Sequence, residues 1–421
     1  MNSSTSVDLV VETYTYGGEV LGRLPDGRAA FVPFALAGER VRVKLVDEKP
    51  RYARAQLIDV LEPSPDRVKP HCRHFSRCGG CHYQHLNCIA QLAVKQAIVQ
   101  DQLGRIAKLD NANVKPTISG TAWGYRNHIQ FHLSPQGKLG FHSSGSDTIL
   151  PVEECHLPEE VLNSIWPQLD FDVPQEPTRV GLRVGFGAEV QMILESQSIA
   201  PPALTVEDAP VSAVHISPAG LLVMAGSEQL TMEVNQRLFQ VSAGSFFQIN
   251  TAMAGKLVDY LLKSLPLSTD TSVLELYCGV GLFSAFIAPL VERLVCVESS
   301  PSASDDFLVN LDEFDNVELY EAQSWQVFNE IDWQPDVILL DPPRSGLDKR
   351  TLDGVLALQP STIAYVSCDP ATFARDAKRL NNANYLLQEI TPFDLFPQTY
   401  HIEMVSIWHK TDRHGSSKTL T

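Results

Sequence analysis

A cysteine lies where an apolar run meets a turn in the segment IAYVSCDPATFARD, residues 363–376. The run has the length and apolar content of a core strand, and Cys368 follows it directly, ahead of an Asp-Pro pair and a helix-like stretch. A structural cysteine would more naturally lie inside the run. Because ligands of open parallel sheets bind at the carboxyl ends of the strands, the position is compatible with a catalytic thiol, but a single cysteine at a strand end is weak evidence for one.

A glycine-containing turn follows another apolar run. The segment VLELYCGVGLFS, residues 273–284, predicts a strand, a turn with Gly279 and Gly281, and the start of a helix. The next run, RLVCVE, ends in Glu298, and an acidic side chain there can bind the two hydroxyls of a ribose. The turn lacks the lysine of a phosphate-binding loop and the third glycine of a dinucleotide fingerprint. The pattern therefore fits S-adenosylmethionine, and an ordinary doubly wound domain with incidental glycines is the alternative.

A third strand-like run, DVILLD, ends in Asp341 and is followed by Pro342 and Pro343. The two prolines stiffen the backbone beyond the acid. Such an arrangement is typical of a site that holds a flat base or a reacting group against a cofactor. A helix cap before the stretch SGLDKRTLDGV is the alternative interpretation.

Four other cysteines have a spacing that suits a metal. Cys72, Cys78 and Cys81 form the pattern C-x5-C-x2-C, and Cys155 in VEECHLPEE is a plausible fourth ligand. Four thiolates can hold either tetrahedral zinc or a four-iron cluster. Zinc sites more often use two C-x2-C pairs, and this segment contains one, so the spacing leaves both metals open.

Composition sets the broad class. The chain has 421 residues, of which 44% are hydrophobic and 20% charged, values that are ordinary for a globular protein of two or three domains. It has no apolar run long enough for a membrane span, and its N-terminus lacks the features of a signal peptide. We therefore expect a cytoplasmic protein with no membrane partner, whose eight cysteines serve metal binding or catalysis.

The charge is unevenly distributed. The net charge is −17, yet the first 150 residues carry 18 Lys and Arg against 13 Asp and Glu, whereas the rest carries 15 against 37. A polyanion such as RNA would prefer the N-terminal third. A basic group of six residues there is either a contact for an RNA backbone or a solvated strand face. Its members are Arg40, Arg42, Lys44, Lys49, Arg51 and Arg54.

Three kinds of pattern divide the chain. Residues 1–62 alternate apolar and polar between glycine-containing turns, which predicts a small β-barrel. After a proline-rich linker, residues 70–240 contain the cysteine-rich segment, a helix from Cys88 and short alternating strands, which predicts a β-rich, mostly antiparallel region. From 241 to 412, apolar runs alternate with helical stretches, the pattern of a parallel sheet with crossover helices. Residues 413–421 are predicted to form a disordered tail.

Four motifs occur in the order ELYCGVGLFS, LDPPRSGL, VSCDPATFARD and HIEMVSIW. Together they resemble the RNA uracil-C5 methyltransferase family. The segment CRHFSRCGGCHYQH and the N-terminal barrel resemble the cluster-binding and TRAM parts of its ribosomal-RNA branch. The resemblance implies an α/β fold in which a Rossmann-like S-adenosylmethionine methyltransferase domain follows an OB-like β-barrel and a β-rich central domain. It also implies a [4Fe-4S] cluster, in preference to zinc, on the four cysteines.

The resemblance implies roles for single residues. Cys368 would attack carbon 6 of uracil so that carbon 5 can take a methyl group, and Glu403 would then remove the carbon-5 proton. Asp341 would orient the substrate or the cofactor. The implied cofactor contacts are Gln248, Tyr277, Gly279, Glu298 and Gln323. One residue departs from the pattern, because Leu282 stands where the ribosomal-RNA branch often has asparagine.

The resemblance leaves two RNA classes open. The barrel and the four cysteines favour a uridine of 23S ribosomal RNA, and a T-loop uridine of tRNA is the alternative, because some tRNA enzymes share both features. Cytosine-C5 methylation is disfavoured, since the nucleophile of those enzymes usually follows a proline, whereas Pro370 comes after Cys368. A non-catalytic RNA-binding or RNA-folding protein with the same fold is the remaining alternative. We expect a monomer.

Overall fold

Alternating apolar side chains close the first five strands into a barrel. The computed structural model describes residues 6–171, 178–202 and 211–411. The barrel strands are β1 (Ser6–Tyr14), β2 (Glu19–Arg23), β3 (Ala29–Pro33), β4 (Arg40–Glu48) and β5 (Tyr52–Glu62). They join in the order β1-β2-β3-β5-β4 and close on themselves. Inward-facing residues such as Val11 and Val41 are fully buried, which confirms the OB-like barrel expected from the period of two.

One long helix follows the cysteine-rich segment. Helix α1 (Cys88–Gln102) begins at the cap Asn87, whose side chain accepts a backbone N–H of the first turn, and continues into a π-helical turn, Leu103–Ala107. Two polar side chains of α1, Gln91 and Lys95, are fully buried or nearly so. The helix therefore meets a polar surface inside the protein rather than solvent on this face.

A seven-stranded sheet forms the middle of the chain. Its elements are β6 (His128–Leu133), β7 (Leu139–His142), β8 (Ile149–Pro151), helix α2 (Glu160–Ile165), β9 (Arg179–Val184), β10 (Val190–Glu195), β11 (Val211–Ser217) and β12 (Gly220–Ala225). The strand order is β12-β11-β10-β9-β6-β7-β8, and only the pair β10–β11 is parallel. A separate hairpin follows, β13 (Gln229–Val234) with β14 (Arg237–Ser242). The expected β-rich, mostly antiparallel central region is confirmed.

The last part of the chain forms a mostly parallel sheet. Its elements are α3 (Thr251–Ser264), β15 (Ser272–Leu276), α4 (Ser284–Ile287), β16 (Arg293–Glu298), α5 (Pro301–Asn310), β17 (Val317–Glu321), β18 (Val337–Leu340), α6 (Lys349–Leu358), β19 (Thr362–Ser367), α7 (Pro370–Asn382), β20 (Tyr385–Phe393) and β21 (Glu403–Lys410). The strand order is β17-β16-β15-β18-β19-β21-β20. The first five strands in this order, β17, β16, β15, β18 and β19, run parallel to one another, and β21 is antiparallel to both its neighbours. The Rossmann-like domain is confirmed, and the tail expected at 413–421 lies outside the described residues.

The strand order reverses at β15, because the chain passes from β15 outward to β16 and β17 and then returns to β18 on the other side. Ligands of doubly wound sheets bind at such a switch point, outside the carboxyl ends of the strands. All four residues of β18 are buried, as the continuous apolar runs of a covered parallel sheet require. Across the ranges that the structure describes, no helix is long and apolar enough to cross a membrane.

A buried ion pair fastens α1 to the loop between β20 and β21. The Lys95 ammonium is fully buried and lies 2.5 Å from Asp394 Oδ1. It also donates to the carbonyl oxygens of Phe396, at 3.1 Å, and His401, at 2.8 Å. Burial lowers the pKa of Lys95, and the Asp394 charge opposes that shift. Because this loop ends at Glu403, the first residue of β21, the ion pair helps to hold the start of β21 in position.

Replacing Lys95 by methionine should strongly destabilise the fold, because the Asp394 carboxylate and two carbonyl oxygens would remain buried without their donor. We expect a loss of about 3–5 kcal/mol in the free energy of unfolding, measured in urea. Lys263→Met, at an exposed position in the last turn of α3, is the matched control and should change stability by less than about 0.5 kcal/mol. Equal unfolding midpoints for the two variants would contradict the role of the pair.

Candidate active site

Three predicted site residues extend the ends of parallel strands. Strands β18 and β19 pair with Leu340 beside Tyr365, so Asp341 and Cys368 leave the sheet at the same edge. Glu298 is the last residue of β16 and lies at this edge as well. The shared direction of the strands therefore brings together side chains that are far apart in sequence.

Glu403 reaches the same edge from the opposite direction. Strand β21 runs antiparallel to β19, with Met404 opposite Ser367. The next residue along β19 is Cys368, and the residue before Met404 is Glu403, so the thiol and the carboxyl lie side by side. Glu403 is only 5% exposed, so its surroundings exclude most water.

The electrostatics of this group follow from burial and mutual repulsion. Burial is the main cause that raises the pKa of Cys368 to about 12, and the Glu403 and Asp341 carboxyls add to it. Burial likewise raises the pKa of Asp341 to about 7. The pKa of Glu403 is raised well above its usual range by burial and then by Asp341. These three groups therefore resist ionisation, and Glu403, once ionised, is a stronger base than a solvated carboxylate.

One exposed cation opposes these shifts. The charge of Arg344 lowers the pKa of both Cys368 and Glu403, although burial outweighs it. Its guanidinium lies 3.4 Å from His401 Nδ1, and its carbonyl oxygen accepts the Thr372 hydroxyl at 3.0 Å. Arg344 is thus fixed at the mouth of the group, where a positive charge favours the thiolate.

The glycine turn is organised around Glu298. The backbone N–H of Gly279 donates to Glu298 Oε2 at 2.9 Å, and the N–H groups of Ser299 and Ser300 donate to Oε1 at 2.6 and 2.8 Å. The carboxylate is held by the backbone and still has lone pairs for ribose hydroxyls. A Cβ built on Gly279 would meet nothing within 4 Å, so the space beside the turn is open to a ligand. These residues fit the adenosine part of S-adenosylmethionine.

The second glycine of the turn has a packing role instead. Gly281 has φ +89°, and a Cβ there would lie 2.3 Å from Leu311 Cδ1. The following residue, Leu282, is 7% exposed and belongs to the hydrophobic core. Leu282 thus packs in the core at the position where the ribosomal-RNA branch often has a polar asparagine.

Tyr277 and Gln323 lie on the β17 side of the turn. Tyr277 has a left-handed backbone, φ +65°, and burial raises the pKa of its hydroxyl, which hydrogen-bonds Thr351 and Ser324. Gln323, the neighbour of Ser324, is exposed just beyond β17. Both predicted contacts thus lie at the carboxyl edge, where an adenine ring next to Glu298 would project.

Gln248 comes from outside the sheet, on the loop before α3. Its carbonyl oxygen accepts the Asn127 amide at 2.9 Å, which ties the loop to the central region. The same loop reaches α5, because the hydroxyls of Ser245 and Ser302 are 2.8 Å apart. Since α5 follows Glu298, the loop carrying Gln248 lies beside the cofactor end of the site.

Comparison with known proteins agrees with this arrangement. Residues 225–411 match the family model described as tRNA (Uracil-5-)-methyltransferase, and residues 5–58 match the TRAM domain. An RNA methyltransferase of Halalkalibacterium halodurans is 31% identical, and the similarity covers 97% of each chain. The chain belongs to the RNA uracil-5-methyltransferase family. It is therefore an RNA-modifying enzyme, and the alternative of a non-catalytic protein falls away.

A second relative supports the family of this methyltransferase, and a solved structure supports its fold. An RNA methyltransferase of Thermosynechococcus vestitus is 30% identical over 96% of this chain and 97% of its own. The crystal structure of the Pyrococcus abyssi tRNA (uracil-54, C5)-methyltransferase with S-adenosyl-L-homocysteine covers 96% of this chain and 100% of its own, with a TM-score of 0.74 and 24% identity. At that identity the likeness shows the shared fold.

The four predicted metal ligands of the methyltransferase line one cavity of about 380 Å³. Cys72, Cys78 and Cys81 come from the cysteine-rich segment, and Cys155 comes from the region after β8. Burial raises the pKa of Cys81 to about 12 and that of Cys155 to about 11, and the charge of the half-buried Arg126 opposes both shifts. The sulfurs also accept hydrogen bonds. The backbone N–H of His74 donates to Cys72, and that of Gly80 donates to Cys78. The Leu157 backbone interacts in the same way with Cys155, and the Gln84 side chain with Cys81. Within the described ranges, however, no three His, Cys, Asp or Glu side chains are grouped tightly enough to hold a single metal ion.

The basic group of the barrel is mostly neutralised. Arg40 and Arg42 pair with acids on neighbouring strands, Arg54 pairs with Glu19 on β2, and Lys49 pairs within its own turn. These exposed pairs are worth little individually, about 0–1 kcal/mol, so RNA phosphates could displace the acids. The interpretation as a solvated strand face nevertheless explains most of this group without any ligand.

Two residues of the site were not predicted from the sequence. Arg344 lies inside the motif LDPPRSGL, and a cation three residues after a strand-end acid was an available signal. Tyr16 is the other, because its hydroxyl donates to Asp369 Oδ2 at 3.0 Å although the two residues are 353 positions apart. No local pattern could have indicated that contact.

Arg344→Gln should move the rise of activity with pH to higher pH. Cys368 and Glu403 both act in their deprotonated forms, and the Arg344 charge lowers the pKa of each. Removing the charge raises both pKa values, so the rising part of the profile should shift to higher pH and the variant should be less active than wild type throughout pH 7 to 9. The measurement is kcat/KM for methyl transfer across this range. Arg344→Lys keeps the charge and should follow the wild-type profile, whereas coincident profiles for wild type and Arg344→Gln would refute the assignment.

Proposed function

We propose that the enzyme methylates carbon 5 of a specific uridine through a covalent adduct between Cys368 and carbon 6 of the base. The observation that carries this proposal is the placement of Cys368 beside Glu403, at the end of the sheet that also bears the glycine turn and Glu298. Carbon 5 of uracil is a poor nucleophile, and thiolate addition to carbon 6 makes it enolate-like.

The side chains divide the reaction between them. The Cys368 thiol loses its proton and its sulfur bonds to carbon 6, with the positive charge of Arg344 favouring the thiolate. S-adenosylmethionine supplies the methyl group as an electrophile to carbon 5. Glu403 then accepts the proton from carbon 5, and the electron pair of that C–H bond restores the ring double bond as the bond to sulfur breaks. Asp341, next to both groups, orients the base or the cofactor.

For the substrate we propose a uridine in 23S ribosomal RNA. The TRAM match over residues 5–58 and the four cysteines support this choice, with a T-loop uridine of tRNA as the second candidate. We assign RNA binding to residues 1–62 and 70–240 and methyl transfer to 241–412. The reaction would take place in the cytoplasm, where reducing conditions keep the eight free cysteines as thiols.

We further propose that the four-cysteine cavity holds a [4Fe-4S] cluster. The four cysteines line one cavity, and four thiolates can hold either zinc or a four-iron cluster; the resemblance of the cysteine-rich segment favours the cluster. Hydrogen bonds from backbone N–H groups to the sulfurs and the Arg126 charge both suit a cluster with net negative charge. With all four ligand positions on cysteine, the cluster would have a structural or RNA-positioning role.

The adduct gives a direct test of both chemistry and substrate. Glu403→Gln should still permit attack and methyl transfer but block release, so a protein–RNA species stable in denaturing gels should accumulate with total RNA. Sequencing the attached RNA then distinguishes 23S ribosomal RNA from tRNA. Cys368→Ala is the matched control, which should bind RNA yet form no adduct and no methyluridine. Methylation by Cys368→Ala would exclude the covalent mechanism.

The metal proposal is tested by elemental analysis. Protein purified without oxygen should be brown and contain about four irons per chain, the content of a [4Fe-4S] cluster. Cys81→Ala should lose the iron, whereas Cys88→Ala, at an exposed cysteine that does not line the cavity, should retain it. Colourless protein with one zinc per chain would overturn the cluster.

A further inference from the structure

The turn between β1 and β2 of the barrel faces the catalytic domain. Gly18 in this turn is packed so closely that an added Cβ would lie 3.1 Å from His82 Cβ. Tyr16 lies in the same turn and is half-buried. Its hydroxyl donates to Asp369 Oδ2 at 3.0 Å. A module that matches an RNA-binding domain thus also contacts the residue next to Cys368.

Asp369 is the cap of α7 and is held from two sides. Its Oδ1 accepts the backbone N–H groups of Ala371 and Thr372, at 3.0 and 2.8 Å, while Oδ2 accepts the Tyr16 hydroxyl. The helix therefore fixes one oxygen and the barrel fixes the other. Because Cys368 is the preceding residue, the orientation of this carboxylate sets the turn on which the thiol stands.

The Tyr16 ring contacts the segment that leads to Glu403 as well. It meets Tyr400 edge-on, with ring centroids 5.7 Å apart, and Tyr400 packs on His401 at 4.3 Å. On its other side Tyr400 contacts His82, at 4.5 Å. A single barrel side chain therefore touches both chain segments that carry the proposed nucleophile and base.

We propose that Tyr16 is a positioning residue of the active site, through which the barrel contributes to turnover as well as to RNA binding. It holds the Asp369 carboxylate in place beside Cys368 and supports the Tyr400–His401 segment before Glu403. Its hydroxyl also satisfies the Asp369 negative charge, which otherwise opposes formation of the Cys368 thiolate. This inference rests on the proposed covalent role of Cys368.

The test is Tyr16→Phe, which removes one hydroxyl and keeps the ring against Tyr400. At saturating RNA and S-adenosylmethionine, we expect single-turnover methylation to slow about tenfold, since a tenfold change corresponds to about 1.4 kcal/mol in the barrier, close to the lower end of the range for one hydrogen bond to a charged group. KM for RNA and the melting temperature should stay at wild-type values. Tyr14→Phe, which removes a hydroxyl that bonds the Ala37 backbone within the barrel, should leave the rate unchanged.

Asp369→Asn completes a double-mutant cycle, because asparagine still caps α7 but no longer carries the charge that Tyr16 satisfies. If Tyr16 acts through Asp369, the double variant should be no slower than the slower single variant. A wild-type rate for Tyr16→Phe, or a loss confined to KM for RNA, would overturn the inference. So would losses that simply multiply in the double variant.

The adduct separates this inference from the proposed function. In the Glu403→Gln background, adding Tyr16→Phe should slow adduct formation by the same factor as methylation. An adduct that forms equally fast with and without the Tyr16 hydroxyl refutes only the positioning role. If Glu403→Gln alone yields no adduct, the covalent mechanism itself fails.

Discussion

The buried Glu403 carboxyl lies beside the half-buried Cys368 thiol and Asp341 carboxyl, and the cost of keeping these three acidic groups together constrains the rest of the structure. Burial and then the two carboxyls raise the pKa of Cys368, and burial and then Asp341 raise that of Glu403, with burial the larger cause in both. If water entered the site, it would solvate the charged forms of these groups and return their pKa values toward the usual range. Here the side chains are held instead by strands of the central sheet, so the pocket keeps the strong base that removal of a carbon-bound proton requires.

The loop between β20 and β21 connects this pocket to the remainder of the molecule. Lys95 holds it through the Asp394 charge and two carbonyl oxygens. The N–H groups of His82 and Tyr83 both donate to the carbonyl oxygen of Gln398, so the cysteine-rich segment is hydrogen-bonded to the same loop. A cluster in the cavity beside His82 would order that segment, and this gives a physical route by which a metal far from the reacting atoms could support the position of Glu403.

The distribution of charge decides how an acidic enzyme can act on RNA. Unstacking the target uridine costs a few kcal/mol, and phosphate contacts must offset that cost. Three arginines of the barrel, Arg40, Arg42 and Arg54, already pair with acids on other barrel strands, so the barrel does not present a strongly positive face.

The sequence alone determined the barrel, the β-rich middle and the parallel sheet, because each depends on local periodicity that survives in any context. It also placed Glu298, Asp341 and Cys368 at strand ends, since the end of an apolar run marks the end of a buried strand. Only the tertiary structure decided that Glu403 stands beside Cys368, because antiparallel pairing of β21 joins distant segments. The same holds for Lys95 with Asp394 and for Tyr16 with Asp369. Those contacts follow from packing between domains, for which a linear pattern of residue types carries no signal.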